Sequence, residues 1–489
     1  MNSFKELIPI DNKSNSPLYS QIMNAFITNI RRGYLRRGLK LPGSRKLAET
    51  LNVHRKTLQN ALDELAAQGW LEIIPRKGTF VVKDIPEINP VKTSSYKKII
   101  KYPERTVYPI YERNIIQFPL SGSYDPQKLV LDDGLPDIRM APIDTLMQEY
   151  RSLSKLSVFK KYFGYGSAQG SAHLINTLAE FLSDTRGFNI TPKNILITKG
   201  AQMGIYLSSK LLIRPGDNII VGEPGYFIAN LTFEQMGAKI NKAQVDEYGI
   251  NLDYVEKFCK NKKIKFIYVI PHHHYPTTVT LSPERRIKLL ELAAKYKFAI
   301  IEDDYDYDFH YSSSPIMPMA SIDHHGSVIY IGTLTKTFVP AVRVGFIIAP
   351  ENFITAVSNL RRAVDWQGDS LMEIAIAELF RNGTIARYIR RTVKLYRERR
   401  DYFCKNLSAE LGKNISFKIP DGGMSVWIKF NSADIKSVAE RALEYDLIMS
   451  NGKEYNTSNV NYNSARFGFA SLNLNEQDKV IETLHKCII

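Results

Sequence analysis

The sequence predicts an α/β chain with a small, basic, helical head in front of a larger body, and three observations lead there. Hydrophobic runs of strand length pass into small-residue turns and then into helical patterns, as in NILITKGAQMGIYLSSKLL from Asn194 to Leu212, which is the signature of an α/β sheet. The first 84 residues instead carry apolar residues at helical spacing and close on two short strands. Charge separates the same two parts: residues 1–84 hold 14 Lys and Arg against 7 Asp and Glu, a net of +7, whereas residues 128–489 hold 45 against 39, a net of +6 over a far longer stretch.

At 489 residues the chain exceeds one ordinary core, so two or three domains are expected. No apolar run reaches the roughly 18 residues of a membrane span. The amino terminus, MNSFKELIPIDNKSN, lacks a signal-peptide core, and a cytoplasmic location is expected. Cys259, Cys404 and Cys487 are too widely separated for a disulfide framework and have no metal-ligand spacing around them; they read as reduced thiols.

Residues 1–84 form the expected head. From Pro17 to Gly33, Leu18, Ile22, Phe26 and Ile30 recur every four residues and make one buried stripe, with proline at the start and glycine at the end as helix boundaries prefer. A second helix is expected from Ser44-Arg45 to Leu51, a turn at Asn52-Val53, and a third helix from about His54 to Gln68. Two short helices on a tight turn are a helix-turn-helix, whose second member puts its amino-terminal residues in the major groove of double-stranded DNA. His54, Arg55, Lys56, Thr57 and Gln59 lie at that end. The strands Leu71 to Ile74 and Thr79 to Val82, joined by Pro75-Arg76-Lys77-Gly78, make a basic hairpin that reads as a wing, with Lys77 as a further DNA contact. A positive field of this kind suits a polyanion, although for any single basic residue a solvated helix face is the competing reading.

Residues 85–127 scatter Pro, Ser, Lys and Tyr with no sustained period, as a linker would. The body, 128–489, opens with LDDGLPDIRMAPIDTL and a Gly-rich turn, FGYGSAQGSAH, that leads into an amphipathic helix. In the strand NILIT and the following Lys199-Gly200-Ala201-Gln202, small residues stand where a strand becomes a helix, so backbone N–H groups and the helix dipole can meet a phosphate. The strand entering PHHHYPTT carries His272, His273 and His274. Adjacent residues on extended chain point to opposite faces, and no carboxylate or cysteine completes a set, so no metal is expected.

The chemistry concentrates in two runs. KYKFAII ends a helix and enters a buried strand, followed at its carboxyl end by Glu302-Asp303-Asp304-Tyr305, where open α/β sheets place their ligands. By composition alone EDDYDYD also reads as a solvated acidic loop. The strand Val328 to Ile331 runs into GTLTKTFVPAVRVGF, presenting Lys336 with Arg343 seven residues on. A lysine among apolar neighbours deprotonates more easily and can form a Schiff base, while Thr333, Thr335 and Arg343 can hold a phosphate dianion. Pyridoxal phosphate (PLP) is the cofactor that carries both an aldehyde and a phosphate. Its pyridine nitrogen needs a carboxylate and its ring oxygen a hydrogen-bond partner, for which Asp303 and Tyr305 are the candidates.

The runs IIEDDYDYDF and GTLTKTFVPAVRVGF, 33 residues apart from Asp303 to Lys336, resemble fold type I aminotransferases and specifically the MocR/GabR regulators. LYSQI, GLKLPGSRKLAETL, VHRKTLQNALDELAAQGWL and KGTFV resemble the GntR winged helix-turn-helix. The resemblance covers nearly the whole chain apart from the linker. It implies a large domain with a mainly parallel sheet and a small α+β subdomain from about residue 380, a homodimer, and a PLP-dependent DNA-binding regulator that senses an amino-acid-like effector or PLP itself.

By the same resemblance Arg45 contacts DNA, Lys336 carries PLP, Tyr226 stacks on its ring, Tyr165 reaches the phosphate of the other subunit, and Arg466 receives an α-carboxylate. His54 stands where the family has serine, and a contact to phosphate or a cover for the turn are both open. His274 and Thr278 replace the glutamine and glycine of the family's cofactor loop. Ile228 and Ser471 stand where the γ-aminobutyrate-responsive member has effector arginines, so that effector is not expected. The basic run from Ile385 to Phe403 reads as a solvated face of a small-domain helix. The competing reading of the chain is a working aminotransferase that carries a DNA-binding head.

Overall fold

Four-residue spacing of apolar side chains does in the head what periodicity requires. The computed structural model describes residues 3–11, 16–83, 103–110, 128–311, 316–457 and 460–488. The helix Leu18–Arg31 buries Ile22, Phe26 and Ile30, and the chain leaves it through Gly33 at φ +79°. The helix Ser44–Leu51 stops at Asn52, whose φ of +52° and ψ of +47° make the tight turn, since asparagine tolerates the left-handed region. Arg55–Ala67 follows and buries Leu58, Ala61, Leu62 and Leu65 against the other two helices. Strands β1 (Leu71–Ile74) and β2 (Gly78–Val81) pair antiparallel with Ile74 opposite Gly78. The second strand therefore begins one residue earlier than its side-chain pattern suggests, because Arg76 at φ +64° and Gly78 at φ +119° complete a three-residue turn. Lys40 bridges to Phe80 and adds a short third edge.

The chain divides into two compact units, Met1–Ile110 and Tyr111–Ile489. Of the linker expected over 85–127, all but 103–110 lies outside the described residues.

The body begins with β3 (Leu129–Leu131) and builds its main sheet from β4 (Ile195–Thr198), β5 (Asn218–Glu223), β6 (Lys239–Asp246), β7 (Gly249–Ile250), β8 (Ile264–Val269), β9 (Ala299–Asp304), β10 (Val328–Thr333) and β11 (Gly345–Ile348). The spatial order is β4-β11-β10-β9-β8-β5-β6-β7. Strands β10, β9, β8, β5 and β6 run parallel, whereas β11 lies antiparallel between β10 and β4. Helices on both faces bury β10 along its whole length, which is why VIYIGT reads as a continuous apolar run and not as an alternation. The carboxyl ends of β4, β5, β8, β9 and β10 meet along one edge of this sheet.

A second layer holds the antiparallel strands β12 (Ile415–Phe417), β13 (Ser425–Phe430) and β15 (Ser464–Gly468), with β14 (Leu447–Met449) paired in parallel to β3. The first strand of the body is thus built into its carboxyl-terminal layer. The expected basic helix is part of Thr384–Leu411, and its solvated-face reading is only partly right. Arg390, Arg391, Lys394 and Arg397 are exposed, but Arg399 is buried against Asp137 and Arg400 donates to the Pro420 carbonyl at 2.8 Å. Cys259, Cys404 and Cys487 are buried free thiols. Among the described residues no helix is long and apolar enough to cross a membrane.

Phe26 is fully buried in the head's own core. Phe26→Ala should cost about 3–5 kcal/mol, seen by calorimetry of the full chain as a lower head transition with the body transition unmoved.

Candidate functional site

The edge where the parallel strands end contains a cavity of about 190 Å³, and Lys336 projects into it from the turn after β10. That turn is held locally: the Thr335 amide donates to Thr333 Oγ1 at 3.0 Å, the Leu334 amide to the Val344 carbonyl at 2.9 Å, and Thr337 Oγ1 to Asp308 Oδ2 at 3.1 Å. Lys336 Nζ donates to the Gly134 carbonyl at 2.7 Å. Burial lowers the lysine's pKa against the opposing pull of Asp133 and Asp132. An amine kept short of water in this way loses its proton more readily and becomes a nucleophile.

Asp303 sits at the end of β9 in the same cavity. Its Oδ2 accepts from Tyr268 Oη at 2.6 Å, while its Oδ1 is buried with no partner among the described residues. Burial, the largest influence, pushes its pKa up to about 7 in spite of the phenol. The acidic run is therefore no solvated loop: Glu302, Asp303, Asp304 and Asp306 are all at least 97 % buried, and Glu302 accepts the Met319 and Ala320 amides. Tyr305 Oη donates to the His273 carbonyl at 2.9 Å and accepts from Arg466 Nη2 at 2.8 Å.

Across the cavity Gly200, at φ +79°, precedes the helix Ala201–Leu212, and a Cβ there would lie 2.8 Å from Nη2 of Arg343. Only glycine lets that guanidinium approach the helix amino terminus. Arg343, itself at φ +55°, donates to the Lys199 carbonyl at 3.2 Å. Ala201, Gln202, Thr333, Thr335 and Tyr226 line the same space, and the buried Oε1 of Gln202 has no partner among the described residues. Tyr226 packs edge-on to Tyr275 with ring centroids 5.1 Å apart.

Arg466, 2 % exposed, reaches the cavity from β15. It donates through Nε to the Asp133 carbonyl at 2.7 Å and lies over the Tyr275 ring at 5.1 Å. The histidines do not lie on the expected extended chain: they follow β8 in a bend, with His273 at φ +43°, and carboxylates reach two of them, His272 facing Asp304 at 3.1 Å and His273 facing Asp306 at 3.0 Å, while His274 faces Thr277 at 2.9 Å. Thr278, where the resemblance leads one to expect glycine, adopts φ +62° and donates its amide to the His274 carbonyl at 2.6 Å, so a threonine takes the left-handed conformation here.

Of the cofactor candidates, Gly200 stands behind Arg343 and does not itself line the cavity, and Tyr165 lies apart from it. Tyr165 is 87 % exposed and its ring packs against Trp366 at 5.5 Å. Asp133, Tyr268 and Tyr275 escaped the sequence reading, as did the apolar lining residues Ile205 and Ile270. The doubled acid before Gly134 is the one local signal for Asp133, and nothing local marks the two tyrosines.

In the head, Arg45, His54, Arg55, Lys56 and Lys77 are exposed, and Thr57 and Gln59 are half-buried. His54 is the cap of its own helix: at ψ 133° its Nδ1 accepts from the Lys56 amide at 3.2 Å, the task that serine performs elsewhere. Gln59 Nε2 is tied to Asp63 at 2.8 Å.

Comparison with known proteins agrees with both units. Residues 130–484 match the family described as aminotransferase class I and II, and residues 18–81 match the bacterial regulatory proteins of the gntR family. The chain is 28 % identical to the uncharacterized HTH-type transcriptional regulator YdfD of Bacillus subtilis, covering 93 % of both chains. It is 26 % identical to the probable rhizopine catabolism regulatory protein MocR of Rhizobium meliloti, covering 90 % of this chain and 87 % of the relative. Among solved structures, an archaeal alanine:glyoxylate aminotransferase superposes with a TM-score of 0.70 at 31 % identity, over 74 % of this chain and 91 % of that one. With its sheet order, its lysine-centred cavity and its winged head in this arrangement, the chain belongs to the aminotransferase class I and II family and is a PLP-dependent transcriptional regulator of the MocR type.

Proposed function

We propose that Lys336 is the residue that holds PLP, that a primary-amine effector of amino-acid type acts at the same cavity, and that two copies of the chain together bind an operator in double-stranded DNA. The observation that carries this reading is the buried Oδ1 of Asp303, which has no partner among the described residues, in the cavity that also contains Lys336. A buried carboxylate oxygen without a partner is costly, and a protonated pyridine nitrogen is the partner it fits. The glycine-lined approach of Arg343 to a helix amino terminus suits the phosphate.

When bound, PLP supplies an aldehyde that condenses reversibly with a primary amine. Lys336 offers the amine, made available by burial. Asp303 holds a proton at the ring nitrogen, and Tyr268 keeps its carboxylate in place. Tyr305, tied to the His273 carbonyl, presents its phenol to the cavity. Arg466 is placed to receive a carboxylate bidentately.

Main-chain carbonyls of one segment occupy two of the three cations that line the cavity, that of Gly134 on Lys336 and that of Asp133 on Arg466. A ligand that engages both side chains competes with both bonds and so acts on the segment that leads back, through β3, toward the linker and the head. Such a ligand regulates only by its differential affinity for the two arrangements. Leu156, Val158, Phe163 and Trp366 are large apolar residues exposed near Tyr165 in sequence or in contact with it, which supports a second copy covering them. An operator as partner puts the protein in the cytoplasm.

Lys336→Ala, soaked with PLP and treated with borohydride, should give no pyridoxyl-lysine peptide while its circular dichroism is unchanged. Trapping at another lysine would remove Lys336 from the role. For Asp303 the folded pKa is raised, so the native state holds a proton that the unfolded chain has lost, and stability falls as pH rises from 3.8 to about 7. In the cofactor-free form Asp303→Asn should therefore gain melting temperature relative to the parent across that interval, with no further gain above it; a constant difference at all pH values would contradict the assignment. Arg45→Ala should weaken operator binding by at most about 3 kcal/mol and flatten its salt dependence, read by fluorescence anisotropy over a salt series.

A further inference from the structure

We propose that Asp133 makes this cavity selective for an effector carrying a second cationic nitrogen, an α-amino acid with a basic side chain, and turns it against acidic ones. The inference rests on the reading of the cavity just given and goes on to name the class of ligand.

The Asp133 carboxylate lines the cavity, yet neither neighbouring cation pairs with it. Lys336 Nζ spends its hydrogen bond on the Gly134 carbonyl, and Arg466 Nε uses the main-chain oxygen of Asp133, not its side chain. Among the described residues the carboxylate takes one hydrogen bond, from Tyr275 Oη at 3.2 Å, and its Oδ1 takes none. With cofactor and an α-amino acid in place, every other charge in the cavity has a counterpart: Arg343 the phosphate, Asp303 the ring nitrogen, Arg466 the α-carboxylate, and Lys336 the aldehyde that it exchanges with the incoming amine. Asp133 alone is left over, and a carboxylate in a partly desolvated site favours a cation of the ligand.

A further observation agrees. The groove beside the Tyr226–Tyr275–Tyr455 wall is lined by Glu223, Glu234 and Glu454 against the single cation Lys242, which Glu223 already pairs at 2.8 Å. Its surplus negative field attracts cationic ligands.

The test titrates the PLP-loaded full chain with L-lysine, L-ornithine, L-norleucine and L-glutamate. The readouts are the visible absorbance of the bound cofactor and, independently, the shift in unfolding temperature. Lysine or ornithine should act at a concentration at least tenfold below norleucine, and glutamate should be the weakest. In Asp133→Asn the lysine-to-norleucine ratio should fall to near one; because the ratio is taken within one variant, a change in PLP occupancy cancels. Equal midpoints for lysine, ornithine and norleucine in the parent, or an undiminished ratio in Asp133→Asn, would overturn the proposal while leaving the cofactor reading intact. A chain that borohydride shows to carry no PLP, or one that carries it and answers to none of the four, would overturn the underlying reading and this proposal with it.

Discussion

An amine and a carboxyl group taken out of water within one cavity are the constraint on which the rest of the body depends. Asp303 lies at the end of β9 and Lys336 in the turn after the neighbouring parallel strand β10, and the register of the two strands sets Ile331 beside Asp303 and Gly332 beside Asp304. Burial moves both groups toward neutrality, the lysine downward and the aspartate up to about 7. A site so prepared offers a nucleophilic amine and a protonated carboxyl group side by side, and the cost of holding it ready is borne by the packed sheet. The glycines serve the same end. A side chain on Gly332 would run into the Phe346 ring, and one on Gly200 would displace Arg343.

The segment from Asp132 to Gly134 links this chemistry to the remainder of the chain. It is anchored from behind by the Asp132 carboxylate, which accepts the Gly134 and Leu135 amides at 2.7 Å, and by the Gly468 amide on its carbonyl at 2.7 Å. In front, its carbonyls occupy Lys336 and Arg466, two of the three cations that line the cavity. Binding and the position of this segment are therefore alternatives for the same donors. A chain that joins such a segment to a DNA-binding head through a linker can convert occupancy of the cavity into a change at the operator without any long-range pathway of side chains.

Two departures from the family pattern show how local geometry absorbs substitution. His54 replaces a serine cap and still satisfies the Lys56 amide, because a ring nitrogen two bonds from Cβ reaches the same donor. Thr278 replaces a glycine and still takes φ +62°, held by its amide bond to the His274 carbonyl, although a β-branched residue is strained in that region. His274 beside it is kept neutral by burial, with its pKa lowered to about 3.

The sequence by itself determined the elements and the lysine. Four-residue periodicity in Leu18–Arg31, the turn at Asn52-Val53, the apolar run of β10 and the Lys336–Arg343 spacing are local patterns, and local patterns survive translation into structure because they reflect backbone geometry over a few residues. Tertiary structure alone decided which distant groups share the cavity: residues 133, 275, 303, 336 and 466 come together because β3 joins the carboxyl-terminal layer and because parallel strands deliver their ends to one edge. It also decided that the acidic run is buried, that Arg399 is paired, and that Tyr165 faces outward. Burial and charge pairing are properties of space, and no window along the chain contains them.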